Sequence, residues 1–242
     1  MLKKISWWKY LTMLLLLYTL LAGLLVDVPN MKTGNLYQTA RALYFHVPMW
    51  FGMSILLLIS VVNAIRHLRT FNKVYDYYAE ASAQVAMWFG VLGLVTGAIW
   101  AKFTWGAAWH GDPKQNAAAI AMLVYLAYFV LRSALEDPEK ASRISAIYNV
   151  FAFAVYIPLI YILPRLTDSI HPGNGGNPGF NSYDLDGNMR KIFYPAVIGW
   201  TLLGWWFSTL LVRLKKIKAK QENIQYTKTI EVASKPQIQD TL

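Results

Sequence analysis

No cysteine occurs among the 242 residues. That excludes structural disulfides, cysteine-based zinc sites, thiolate ligation of a metal, thioether attachment of a prosthetic group and thiol exchange by this chain. Charge is scarce as well: Asp, Glu, Lys and Arg make up 15% of the chain, against roughly 25% in an average soluble domain, which argues against an ordinary soluble protein. Acidic residues are the rarer half, 13 against 23 basic, and leave a net charge of +10. A Walker A pattern and a Gly-rich phosphate loop are both missing, so any ATP hydrolysis must come from a partner. What the chain has in excess is apolar residues, 56%, and aromatic ones, 15%.

The apolar residues collect into six runs long enough to span a bilayer, for which about 20 helical residues are needed: Trp7 to Val26, Leu43 to Ile65, Ala79 to Trp100, Ala117 to Leu135, Ile144 to Leu163 and Ile192 to Val212. Lipid satisfies no free backbone group, and the alternating ten-residue pattern of a barrel is not seen, so the runs read as helices. The expected fold class is all-α: a polytopic membrane protein with a bundle of six transmembrane helices.

With the N-terminus inside, 16 of the 23 basic residues fall in inner segments. By the positive-inside rule both termini are then cytoplasmic. Most of the +10 is therefore topology, and no nucleic-acid footprint is needed to explain it. The first run, behind Lys3 and Lys4, resembles a signal peptide but lacks an A-x-A cleavage site and is longer than a usual h-region; it is read as retained. Residues 1–214 form the membrane domain. From Lys215 to Leu242 the sequence loses its apolar content and reads as a polar, disordered cytoplasmic tail, its first basic residues near anionic lipid heads.

The outer loops are roughly Asp27 to Ala42, Ala101 to Asn116 and Pro164 to Lys191, and function is expected there. On the third run, Ala86, Gly90, Gly93 and Gly97 form a small-residue stripe, read as a close helix contact. Of the four histidines, His67 sits beside Arg66 and Arg69 on the inner side and reads as a solvated loop residue. His46, in RALYFHVPMWFG, and His171, in SIHPGNGG, lie on the outer side; a titratable ring at membrane depth is a functional candidate by default. Though 125 residues apart, they share one side of the membrane, where two such rings can serve one metal as an axial pair.

The second outer loop, about 101–116, reads A-K-F-T-W-G-A-A-W-H-G-D-P-K-Q-N. An interfacial aromatic belt explains Trp100. It does not explain Trp105 and Trp109 beside Gly106, Gly111 and Asp112-Pro113, which suit a flat apolar surface for a flat apolar ligand, with the indole N–H free for a polar substituent.

This stretch, WGAAWHGDPKQ, resembles the tryptophan-rich WWD signature of the CcmC/CcsA family, haem-handling membrane proteins of cytochrome c maturation. The resemblance runs from about Trp7 to Val212. Gly111 stands where the family usually has its last Trp, and Gln115 where one branch has Glu. The resemblance implies that haem b, held non-covalently and transiently, docks on the outer face of a bacterial cytoplasmic membrane, towards the periplasm. His46 and His171 are then its axial ligands, and Trp105, Trp109 and Asp112 the platform for its ring and edge; His110 gets no ligand role. Propionate partners are expected among Arg41, Lys102, Lys114, Arg165, Arg190 and Lys191. The implied partners are a haem chaperone, ABC-type ATPase and permease subunits, and a small single-helix membrane subunit. The chain itself is a binding and transfer platform, not an enzyme. Haem iron accepts imidazole, and a bis-imidazole site leaves no open position for oxygen chemistry.

Three other readings compete. A zinc or copper site of His46, His110, His171 and Asp112 suits catalytic zinc but leaves the tryptophans unused. A b-type cytochrome would hold haem between helices in the bundle core. A solute transporter would carry charged or broken helices at mid-membrane.

Overall fold

The computed structural model describes residues 6–26, 39–171 and 185–233, with side chains described through Thr227. Among the described residues six helices are long and apolar enough to cross a membrane, and there is no strand. We label them α1 (Trp7–Leu25), α2 (Leu43–Thr70, entered through a 3-10 turn at Ala40–Ala42), α3 (Lys73–Trp105), α4 (Pro113–Ser133), α5 (Pro138–Ile157) and α6 (Gly187–Ala233). The chain is an all-α multi-pass membrane protein.

Local chemistry places the helix ends. Phe71 stops α2 in a left-handed conformation, φ 55°, and Asn72 starts α3 by accepting from the Val74 amide. Gly106, at φ 89°, ends α3 with its amide on the Lys102 carbonyl. Asp112-Pro113 and Asp137-Pro138 start α4 and α5, each Asp accepting from backbone amides ahead of it and each Pro at the first helical position, where its missing N–H costs nothing. Past Ile157 the chain makes one π turn, Pro158–Ile162, and a last α-helical turn, Leu163–Leu166. Pro158 and Pro164 bracket this segment, and each removes an amide that a regular helix would use.

α2 is the hub, packed against α3, α5 and α6; α1 lies on α6, and α4 on α5. Between the helices lie methionines and small residues, among them Met49, Met53 and Met122. Ala64, Ala79 and Ala146 meet where α2, α3 and α5 cross, and the lack of bulk brings those backbones close. Large apolar side chains such as Leu14, Leu17, Leu123 and Phe151 point outward, as a lipid environment requires. Six antiparallel crossings put the N-terminal end of α1 and the C-terminal end of α6 at one face, called here the terminal face. The opposite one is the tryptophan face.

Three expectations are corrected. Helices outrun the apolar runs at both faces, because hydropathy marks the hydrocarbon and the caps lie beyond it. As a result the Trp-rich loop shrinks to Gly106–Asp112, with Trp105 the last residue of α3. From Lys215 the polar tail is not disordered: α6 continues across the expected boundary to Ala233, while 234–242 lie outside the described residues. Lys, Ala, Gln and Glu favour helix, Lys215 Nζ pairs with Glu80 at 2.7 Å, and Lys218 faces Glu222 one turn on. Finally, His67 is no solvated loop residue. It is 3% exposed near the end of α2, with Nδ1 3.1 Å from the Asn72 carbonyl and Nε2 3.1 Å from Ser142 Oγ.

Near it, charges cancel in pairs. Arg132 grips Asp76 with both arms, at 2.8 and 2.7 Å, and reaches Glu80 at 3.0 Å. With Lys215 this network ties α3, α4 and α6 together at the terminal face.

Candidate functional site

At the tryptophan face the structure brings His46, Trp105, Asp112 and His171 into one neighbourhood. His46 lies near the start of α2, half-buried, with its ring against α3. Its Nδ1 is 3.0 Å from Thr96 Oγ1. The Thr96 hydroxyl donates back along its own helix, to the Leu92 carbonyl at 2.7 Å. Trp50, one turn along α2, meets the His46 ring edge-on at 6.3 Å.

The stripe on α3 thereby acquires a second meaning. Gly90 receives Met122 and Met53, which is the expected close packing. At Gly93, however, an added Cβ would sit 2.7 Å from the Trp50 indole, and at Gly97 2.7 Å from His46 Cε1. Two of the four small residues are seats for side chains of the site.

His171 comes from the segment after α5. Asp112 holds it: Nδ1 is 3.0 Å from Asp112 Oδ1, while Ser169 Oγ and the Ile170 amide also donate to the carboxylate, at 2.9–3.0 and 2.9 Å. The Lys114 amide adds a fourth bond, at 2.9 Å. Burial pushes the Asp112 carboxyl up. The bonds from Lys114, Ser169 and Ile170, with the charge of His171, outweigh it and leave the group below the usual carboxylate value of 3.8. Burial likewise pulls the His171 ring below its usual 6.5, opposed by Asp112, so the imidazole is held neutral at pH 7. A carboxylate can only accept, so Nδ1 of His171 carries the proton and Nε2 keeps its lone pair.

Aromatic rings wall the site. Trp100 and Trp105 meet edge-to-face at 4.6 Å, and both contact the His171 ring, at 6.1 and 4.6 Å. Trp100 is one turn beyond Thr96 on α3, and its indole N–H donates to the Thr39 carbonyl at 3.0 Å. It belongs to the site rather than to a lipid belt. Thr96, against His46, and Trp100, against His171, stand one turn apart on α3.

The remaining candidates are placed as follows around these rings. Trp109 is 47% exposed on the loop rim. His110 is exposed, its ring 5.9 Å from Trp105. Asp112 is buried, its carboxylate turned to His171, Ser169 and backbone amides. Arg41 is engaged on the Gly23 and Val26 carbonyls, Lys102 on that of Gly106 and Arg190 on that of Leu185. Residues 172–184 of the third loop lie outside the described residues.

Thr96, Trp100, Ser169 and Gln115 escape a reading of residue types. Gln115 accepts from the His110 amide at 2.9 Å and donates to the Ala108 carbonyl at 3.3 Å, which pins the loop shut. Gly111 has φ 70°, a conformation that a Trp would occupy only under strain. Among the described residues no three His, Cys, Asp or Glu gather as a metal cluster, which counts against the three-His metal site.

Fold and site together define a multi-pass membrane protein that displays two imidazoles, each anchored from behind, beside an indole wall at one face. The family model described as "Heme exporter protein C" matches residues 1–228, and the chain belongs to that family. It is 25% identical over 193 residues to "Heme exporter protein C" of Rhodobacter capsulatus, covering 76% of this chain and 77% of that protein. The protein of the same name from Bradyrhizobium diazoefficiens is 28% identical over 60% of this chain and 56% of its own length. "Cytochrome c biogenesis protein CcsA" of Prochlorococcus marinus is 38% identical over 40% of this chain and 32% of its own. The match thus spans little more than half of the Bradyrhizobium protein. The role this supports is haem handling in cytochrome c biogenesis, not an enzymatic activity.

Proposed function

We propose that the protein binds haem b non-covalently at the tryptophan face, with His46 and His171 as axial ligands, and presents it to a haem chaperone during cytochrome c maturation. One observation carries this reading: both histidines spend Nδ1 on a partner behind them, Thr96 or Asp112, and so keep Nε2 for iron. The donor set fits haem, because two neutral imidazoles satisfy its iron and the Trp100–Trp105 corner offers its ring an apolar wall. Trp109, exposed on the rim, is placed to meet an incoming partner.

The positive-inside count supports a tryptophan face on the outer side of the bacterial cytoplasmic membrane. Energy for release comes from ABC-type ATPase and permease subunits, since this chain carries no phosphate-binding loop, and a small single-helix subunit completes the assembly. The protein's own contribution is geometric: it holds a flat ligand at the membrane edge.

The test is an optical spectrum of the detergent-purified, haem-loaded protein. Wild type shows a six-coordinate low-spin Soret and α/β pattern, and His46→Ala or His171→Ala loses it while His110→Ala keeps it. A colourless wild type, or a low-spin signal surviving both replacements, removes the reading.

A further inference from the structure

We infer that Thr96 and Gly97 of α3 are positioning residues for His46, setting the ring's tautomer and its seat. The inference rests on the axial role of His46 proposed above.

Consider the tautomer first. An imidazole is a ligand only through a nitrogen that bears no proton, and neutral histidine can carry its proton on either one. Near a hydroxyl the choice is open in principle, because Thr can donate or accept. Here the single Thr96 proton has better targets, the Leu92 carbonyl at 2.7 Å and the Gly93 carbonyl at 3.2 Å. Towards His46 the oxygen is left to accept. The contact with Thr96 therefore demands N–H at Nδ1, and Nε2 keeps the lone pair.

The seat is a matter of volume. His46 Cε1 occupies the space a Cβ at position 97 would fill, at 2.7 Å, with Nδ1 and Nε2 each 3.5 Å away. Any larger residue pushes the ring off α3 and breaks the Thr96 contact with it. The two histidines are therefore supported unlike each other: His171 by an ionised carboxylate, His46 by a neutral hydroxyl on a helix it packs against.

The experiment uses the full-length protein, purified in detergent and loaded with haem, and reads the optical and ferric EPR spectra and the haem dissociation rate. Thr96→Val keeps the shape and removes the hydroxyl; a high-spin fraction emerges, and haem is lost about 10- to 100-fold faster, the range seen when such an outer partner is removed. Thr96→Ser retains the wild-type spectrum. Gly97→Ala reproduces the Thr96→Val spectrum, and added imidazole restores the low-spin signal in both, which a general packing defect would not allow. Wild-type spectra and rates in Thr96→Val overturn the inference, as does a Thr96→Ser protein as impaired as Thr96→Val. A wild type without a bis-imidazole spectrum instead overturns the ligand assignment beneath it.

Discussion

His46 and His67 lie on one helix, 21 residues and nearly six whole turns apart, so they share a face of α2 and are separated by about 30 Å, the thickness of a hydrocarbon core. At the terminal face His67 has both nitrogens occupied, by Asn72 and Ser142, and the neighbouring Asp76, Glu80, Arg132 and Lys215 neutralise one another. At the tryptophan face His46 and His171 each commit one nitrogen. A histidine closed on both sides is a strut, and one closed on a single side is a ligand in waiting. Residue type and depth do not separate the two cases; the hydrogen-bond count does.

The comparison breaks or sharpens under defined changes. The largest effect is expected at the terminal face: Arg132→Met leaves the buried Asp76 without its counter-charge and Glu80 with Lys215 alone, costing about 3–5 kcal/mol. Thermal unfolding in detergent measures it, and the protein that remains folded keeps its haem spectrum. Next comes Asp112→Asn. Asn still caps α4, so the helix start survives, while the carboxylate behind His171 is gone and haem affinity falls about 10- to 100-fold; affinity unchanged by this replacement would detach Asp112 from His171.

Acid acts on the same pair. A group whose folded-state pKa is depressed takes up protons in the unfolded state first, so the stability it lends is complete above its ordinary value and is lost as pH falls. For His171 that loss begins below 6.5 and for Asp112 below 3.8. Unfolding midpoints of the haem-free protein therefore drop from pH 7 towards pH 4, and less steeply in His171→Ala. The smallest change is His67→Gln, with about 1 kcal/mol of stability lost for a weakened hydrogen bond and an unaltered haem spectrum. A spectrum that moved would abolish the distinction between the two histidines.

How much of this is legible beforehand varies along the chain. All six crossings follow from apolar runs, and three helix starts follow from Asn72, Asp112-Pro113 and Asp137-Pro138. The reach of α6 to Ala233 does not, since no apolar run marks it; its helix formers and the Lys215–Glu80 pair carry it. In the site, His46, His171, Trp105 and Asp112 stand out by chemical type. Thr96 and Trp100 do not, because their roles exist only once α2 and α3 pack. The one hint was a Thr and a Trp interleaved with the stripe Gly93, Gly97. His67 illustrates the converse: flanked by Arg66 and Arg69 it looks solvated, yet the facing Ser142 lies 75 residues away.

The π turn at Pro158–Ile162 carries a consequence for arithmetic in place of chemistry. Each residue added to or taken from a helix swings everything beyond it by about 100°, and a π turn amounts to one extra residue. It turns Tyr161 so that its hydroxyl donates to Ser54 on α2, at 2.7 Å, and it sets the azimuth at which Ser169, Ile170 and His171 arrive over Asp112. Removing any one of those five residues would redirect the incoming segment by more than a quarter of a revolution and leave every site side chain chemically intact. His171 is thus aimed by a number, the count of residues between two prolines.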